Sequence, residues 1–171
     1  EYAEAYNSRG MAYCKKSGFD RAIADFTEAI RINSEFAEAY YNRGVAYGKK
    51  EEYDQAIADY GEAIRCDPRN AGGYYLRGIA LAERYRTNEA ITDFTRAIEL
   101  APLDSDAWCN RGSVRMQQGE YEQALVDYQK ALQLNPSARW AIHGEADCLM
   151  LDGQLDESVE RLRELQMISP F

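Results

Sequence analysis

Five blocks of 34 residues follow one another in this chain without an insertion, starting at Ala3, Ala37, Ala71, Ser105 and Arg139. Position 4 of the blocks is Tyr6, Tyr40, Tyr74, Trp108 and Ile142, and position 8 is Gly10, Gly44, Gly78, Gly112 and Ala146. Position 20 is Ala22, Ala56, Ala90, Ala124 and Ser158; position 24 is Phe26, Tyr60, Phe94, Tyr128 and Leu162. Position 27 is Ala29, Ala63, Ala97, Ala131 and Leu165; position 32 is Ser34, Pro68, Pro102, Pro136 and Pro170. A fixed order of large, small, small, large, small and proline does not arise from composition. It marks one supersecondary unit used five times.

Each block holds two apolar stripes at helical spacing, separated by a short polar break such as KKSGFD, KKEEYD or QQGEYE. The small residues at positions 8, 20 and 27 let two helices approach closely, and the large side chain at position 24 fills the space between them. Proline at position 32 ends the second helix. Asp20, Asp54, Asn88 and Asp156 at position 18 are expected to cap the second helix, with Glu122 a weaker cap there. One such pair cannot bury its apolar face, so successive pairs must stack.

These residues resemble the tetratricopeptide repeat (TPR) family, whose pattern is W-x2-L-G-x2-Y, then A-x3-F, A and P over 34 residues. The resemblance implies an all-α, right-handed superhelical solenoid of five helix–turn–helix repeats and ten helices. The repeats are 3–36, 37–70, 71–104, 105–138 and a degenerate 139–171, expected to form a single solenoid domain. Repeat three lacks the turn glycine in LAERYRTNEA, and Thr87 replaces its usual aromatic.

Position 7, usually Leu in the family, is Arg9, Arg43, Arg77 and Arg111, while position 23 is Asp25, Asp59, Asp93 and Asp127. Repeat five reverses both, with Glu145 and Arg161. Positions facing each other across a helix pair sum to a constant, so 7 meets 23 as 8 meets 24. This predicts an Arg–Asp pair inside each of the first four repeats and a reversed pair in the fifth. The plainer alternative leaves both positions as solvated helix surface.

In the family, the first helices line a concave groove that takes extended peptides or helices. The resemblance carries this to positions 2, 5, 9, 12 and 13. The resulting candidate binding residues, with Asn42 and Asn110 from position 6, are Asn7, Met11, Lys15, Tyr41, Asn42, Val45, Lys49, Tyr75, Ile79, Cys109, Asn110, Ser113, Met116 and His143. Tyr41, Val45, Tyr75 and Ile79 are apolar yet fall off the packing positions, which points to a central binding surface. Val45 and Ile79 packed between adjacent repeats is the alternative. Family members that grip a chaperone's C-terminal carboxylate need Lys and Asn, then Asn, then Lys and Arg at set positions. Asn42 and Asn110 match only the middle member, so chaperone tails are not expected as ligands.

The net charge of −9 argues against nucleic-acid partners, and no apolar run is long enough to insert into a membrane. Cys14, Cys66, Cys109 and Cys148 form no C-x-x-C, so no metal site is signalled, and reduced thiols suggest a cytoplasmic protein. No phosphate loop occurs. His143 and Cys109 share position 5 of adjacent repeats, too far apart on stacked helices for a nucleophilic pair. No enzyme activity and no cofactor are expected. The leading expectation is a scaffold for a protein or peptide. Its rivals are self-assembly through the solenoid ends, including a homodimer through the C-terminal helix, and a regulatory appendage of a larger protein. Val159, Leu162, Leu165, Met167 and Ile168 form an apolar stripe near the end, and the first residue is not Met, so the chain is expected to be a piece of something longer.

Overall fold

The computed structural model of the protein describes residues 2–151. Among them are nine helices and no strand: α1 (Tyr2–Cys14), α2 (Phe19–Ile32), α3 (Ala37–Lys49), α4 (Tyr53–Cys66), α5 (Ala71–Glu83), α6 (Thr87–Leu100), α7 (Ser105–Gln117), α8 (Tyr121–Leu134) and α9 (Arg139–Leu151). The expected tenth helix, Arg161 and the C-terminal apolar stripe lie outside the described residues, as does any dimer contact built on them.

The chain forms two compact units, Glu1–Arg86 and Thr87–Phe171. In the first, α1 packs on α2, α2 on α3, α3 on α4 and α4 on α5, and α1, α3 and α5 also touch in succession. In the second, α6 packs on α7, α7 on α8, α8 on α9, and α7 reaches α9. Within each unit the described helices thus bury their stripes against helices one or two places along the chain, which is the solenoid principle. α2 shows how: Ala22, Asp25, Phe26 and Ala29 are buried, one face at i, i+3, i+4 and i+7.

Close approach depends on the position-8 glycines. A Cβ on Gly10 would lie 2.6 Å from the Phe26 ring, and one on Gly44 would lie 2.8 Å from the Tyr60 ring. At Gly112 the nearest atoms of α8 stand at 3.2 Å. Second helices end alike. The N–H groups of Asn33, Asp67 and Asn135 donate to the carbonyls of Ala29, Ala63 and Ala131. Their side chains then accept from the backbone N–H two residues on, at 3.1 Å, 3.1 Å and 3.2 Å, turning the chain before the next repeat.

The caps expected of Asp20, Asp54, Asn88 and Glu122 at position 18 are not caps, each lying within its helix, and Asp156 is outside the described residues. Helix α2 begins at Phe19, α4 at Tyr53 and α8 at Tyr121, and no side chain hydrogen-bonds their first turns as an N-cap. The cause is position 15, left-handed in four repeats: Ser17 at φ 56°, Glu51 at 62°, Tyr85 at 57° and Gly119 at 78°. That reversal starts the second helix early and draws Asp20, Asp54 and Glu122 into its first turn, where their charge still suits the dipole. Position 18 instead reaches position 14 of the next repeat. Lys50 Nζ lies 2.8 Å from Asp20, Arg84 Nε donates to Asp54 at 3.1 Å, and Gln118 Nε2 donates to Asn88 at 2.7 Å.

Position 7 makes a clasp. Arg9 meets Asp25 through Nε and Nη2 at 2.7 Å each, Arg43 meets Asp59 identically, and Arg111 meets Asp127 at 2.9 Å and 2.7 Å. These bidentate pairs lie inside a repeat. The remaining Nη1 of Arg43 donates to Thr27, and that of Arg111 to Thr95, both at 3.0 Å and both at position 25 of the preceding repeat. Each guanidinium also lies over the aromatic of its own position 4: Tyr6 at 5.3 Å, Tyr40 at 5.7 Å, Tyr74 at 5.8 Å and Trp108 at 4.8 Å. Arg77 and Asp93 belong to different units, so their pairing stays an expectation. Glu145 is buried on α9, and its expected partner Arg161 is outside the described residues.

Candidate peptide-binding face

The first helix of each repeat carries its packing residues on one side and positions 5, 9, 12 and 13 on the other. On α1 this second side is partly consumed. Asn7 is 3% exposed; its Nδ2 donates to Glu38 at 3.1 Å and its Oδ1 accepts from Asn42 Nδ2 at 3.0 Å. Both proposed asparagine contacts of unit one therefore tie α1 to α3. Met11 packs on Ala22, Phe26 and Ala46, and Lys15 is exposed.

The face opens at α3 and α5. Val45, Gly48, Lys49, Leu76, Ile79 and Glu83 surround a cleft of about 260 Å³ whose floor includes Tyr60. Tyr41 is half-buried beside it, its ring edge-on to Tyr60 with centroids 6.0 Å apart. That burial raises the Tyr41 hydroxyl above its ordinary pKa, so the ring contributes packing as well as surface. Tyr75 is half-buried one turn before Ile79.

In unit two the same positions are occupied differently. Cys109 and Met116 pack against Ala124, Tyr128, Ala131, Ala141 and Cys148. Ser113 hydrogen-bonds the Tyr128 hydroxyl, and Asn110 Nδ2 donates to the Asp106 carbonyl at 2.8 Å within its own helix. Burial, then Asp106, pushes the Cys109 thiol up to about 11; burial, then Asp147 and Glu145, does the same to Cys148. At neutral pH both are protonated and poor nucleophiles. His143 and Trp140 are exposed on α9, Trp140 by 82%. No group of three or more potential metal ligands is assembled among the described residues.

Of the candidate residues, the structure gathers Val45, Lys49 and Ile79 around one cleft, with Tyr41 packed against its floor. Gly48 and Glu83, at groove positions 12 and 13, complete it together with Tyr53 and Leu76, which stand outside the groove positions. A signal existed for one of them: position 12 is Cys14, Met116 and Met150 in repeats one, four and five, but glycine in repeat two.

Helix pairs joined by tight turns, stacked through small-residue seams and presenting a side-chain-lined face, define a helical-repeat binding scaffold. Family models agree. Residues 37–70 and 105–138 match the model described as tetratricopeptide repeat, and residues 10–51 match a second, described as TPR repeat. The chain belongs to the tetratricopeptide repeat family.

Among solved structures, one of MamA protein aligns with a TM-score of 0.93 at 24% identity, covering 98% of this chain and 92% of that one. MamA from Desulfovibrio magneticus RS-1 aligns with a TM-score of 0.93 at 17% identity, covering 98% and 95%. YrrB, described as a TPR protein with an unusual peptide-binding site, aligns with a TM-score of 0.85 at 24% identity, covering 96% and 85%. At these identities the likeness concerns the fold. No curated protein sequence matches the chain.

Proposed function

We propose that this chain is a non-catalytic protein-interaction scaffold that takes a peptide or a partner protein on the face formed by its first helices. The observation that carries the reading is the apolar cleft at Val45, Leu76 and Ile79, rimmed by Lys49 and Glu83. Val45 and Leu76 also pack on the core of Ala56, Tyr60 and Ala80, and apolar side chains that line a concavity in this way are what a protein or peptide ligand uses. The peptide-binding site of YrrB, on the same fold, supports it. The half-buried Cys109 and buried Cys148 thiols are protonated near neutrality, which speaks against covalent catalysis by them. The excess of acid over base speaks against nucleic acid. No described helix is long and apolar enough to cross a membrane. A cytoplasmic setting and a single domain of five repeats, 3–36, 37–70, 71–104, 105–138 and 139–171, belong to the same reading.

The test is a capture experiment with the wild type beside a Tyr41→Ala/Tyr75→Ala double variant, each with its helix content measured. Loss of captured partners with helix content kept supports the groove; equal capture by both overturns it.

A further inference from the structure

We infer that the cleft between α3, α4 and α5 is a socket for one unbranched or γ-branched aliphatic side chain of a peptide ligand, opened by the glycine at position 48. The inference rests on the scaffold reading and says what that face recognises. Comparison within the chain carries it. In repeat four, Met116 packs on the cluster that holds Tyr128 and Cys148. In repeat one, Cys14 packs on the equivalent cluster holding Phe26 and Ala46. Repeat two offers the same floor, Tyr60 and Ala80, but its position 12 is Gly48. A Cβ there would meet only the Tyr60 hydroxyl, at 3.8 Å, and about 260 Å³ stands open above it. The protein thus fills this place with its own methionine in one repeat and leaves it vacant in another. A Met- or Leu-sized group from outside is the shape that fits.

Charge narrows the ligand further. Lys49 and Glu83 occupy position 13 of consecutive repeats and both line the cleft, so the rim carries one charge of each sign. The matching ligand is a peptide whose aliphatic anchor has an acidic residue on the Lys49 side and a basic residue on the Glu83 side. The surroundings favour neither sign strongly, because residues 1–86 hold 13 Lys and Arg against 14 Asp and Glu.

The experiment selects a phage-displayed random peptide library on the whole chain. Affinities of the enriched synthetic peptides are then measured for wild type, Gly48→Met and a Lys49→Glu/Glu83→Lys double variant. The expected peptides share one Met or Leu between opposite charges. Gly48→Met, checked by circular dichroism to be folded, should bind them about 10- to 100-fold more weakly, the equivalent of one aliphatic side chain left unburied. The double variant should prefer peptides with the charges exchanged, by up to about fivefold. Undiminished binding to Gly48→Met overturns the socket. If those peptides still lose affinity for Tyr41→Ala/Tyr75→Ala, the groove reading stands without the socket; if neither variant affects them, both fail. Enrichment of peptides without an aliphatic anchor also overturns it.

Discussion

Repeats two and four share their frame nearly residue for residue and differ in what they mount on it. Both have the position-8 glycine, tyrosine at position 24 and the Arg–Asp clasp with a threonine from the repeat before. In repeat two Tyr41 and Val45 pack on the core as well, but with glycine at position 12 a cleft stays open beside Val45 and Gly48. In repeat four Cys109 and Met116 close the same side onto the core. The clasps differ as well. Asp127 takes Arg111 and, at 2.7 Å, Arg115, and its side chain is 1% exposed. Frame positions are fixed by the requirement that two helices and the next pair interlock. Groove positions are not, so they can be spent on stability in one repeat and on recognition in another.

The sharpest way to break this comparison is to remove the acid of each clasp. Asp127→Ala leaves two largely buried guanidinium groups without a carboxylate and should cost about 3–5 kcal/mol in urea unfolding. Asp25→Ala in repeat one should cost clearly less, because its partner Arg9 is 59% exposed and rehydrates. Equal losses would mean that burial does not govern the clasps.

Next comes the seam. Gly44→Ala drives a methyl to 2.8 Å from the Tyr60 ring and should cost about 1–3 kcal/mol. Gly112→Ala, whose nearest neighbours are at 3.2 Å, should cost less in the same measurement.

A gain is expected at Gly61, the position-25 residue between Thr27 and Thr95. Its Cβ site is 3.7 Å from Arg77 Nη1, so Gly61→Thr adds a helix-compatible side chain and the missing hydroxyl. A rise of about 0.5–1 kcal/mol, read as a higher Tm, is expected, a few tenths from helix propensity and the rest from the added hydroxyl's hydrogen bond.

The smallest effect is alkaline. Cys109 and Cys148 stay protonated in the fold up to about 11, whereas an unfolded thiol ionises near 8.5. Their contribution is complete below that value and is lost as pH rises towards 11. A Cys109→Ala/Cys148→Ala variant should show a shallower fall of Tm with pH over that range.

Much of the frame is legible in sequence because it recurs: the glycine–aromatic seam and the position 7 to 23 pairing follow from residue type at fixed offsets. What escaped depends on three-dimensional register. A left-handed residue at position 15 can be Ser17, Glu51 or Tyr85 as well as Gly119, so residue type hid the turn that shifts the helix starts. Asn7 reads as a groove residue by position, but only packing shows its amide spent on Glu38 and Asn42. The cation–π seats of Arg9, Arg43, Arg77 and Arg111, not part of the sequence expectation, follow from the i, i+3 spacing of each arginine from an aromatic. The cleft follows from no such spacing, since it is made by a missing side chain.

The clasp has an evolutionary consequence. Arg9, Arg43 and Arg111 are each neutralised by an aspartate of their own 34-residue segment, and Arg43 and Arg111 take a neutral threonine hydroxyl from the segment upstream. A duplication or deletion cut between segments therefore strands no charge at the new edge. A gene encoding such segments can lengthen or shorten by whole units while each copied arginine brings its own counter-ion.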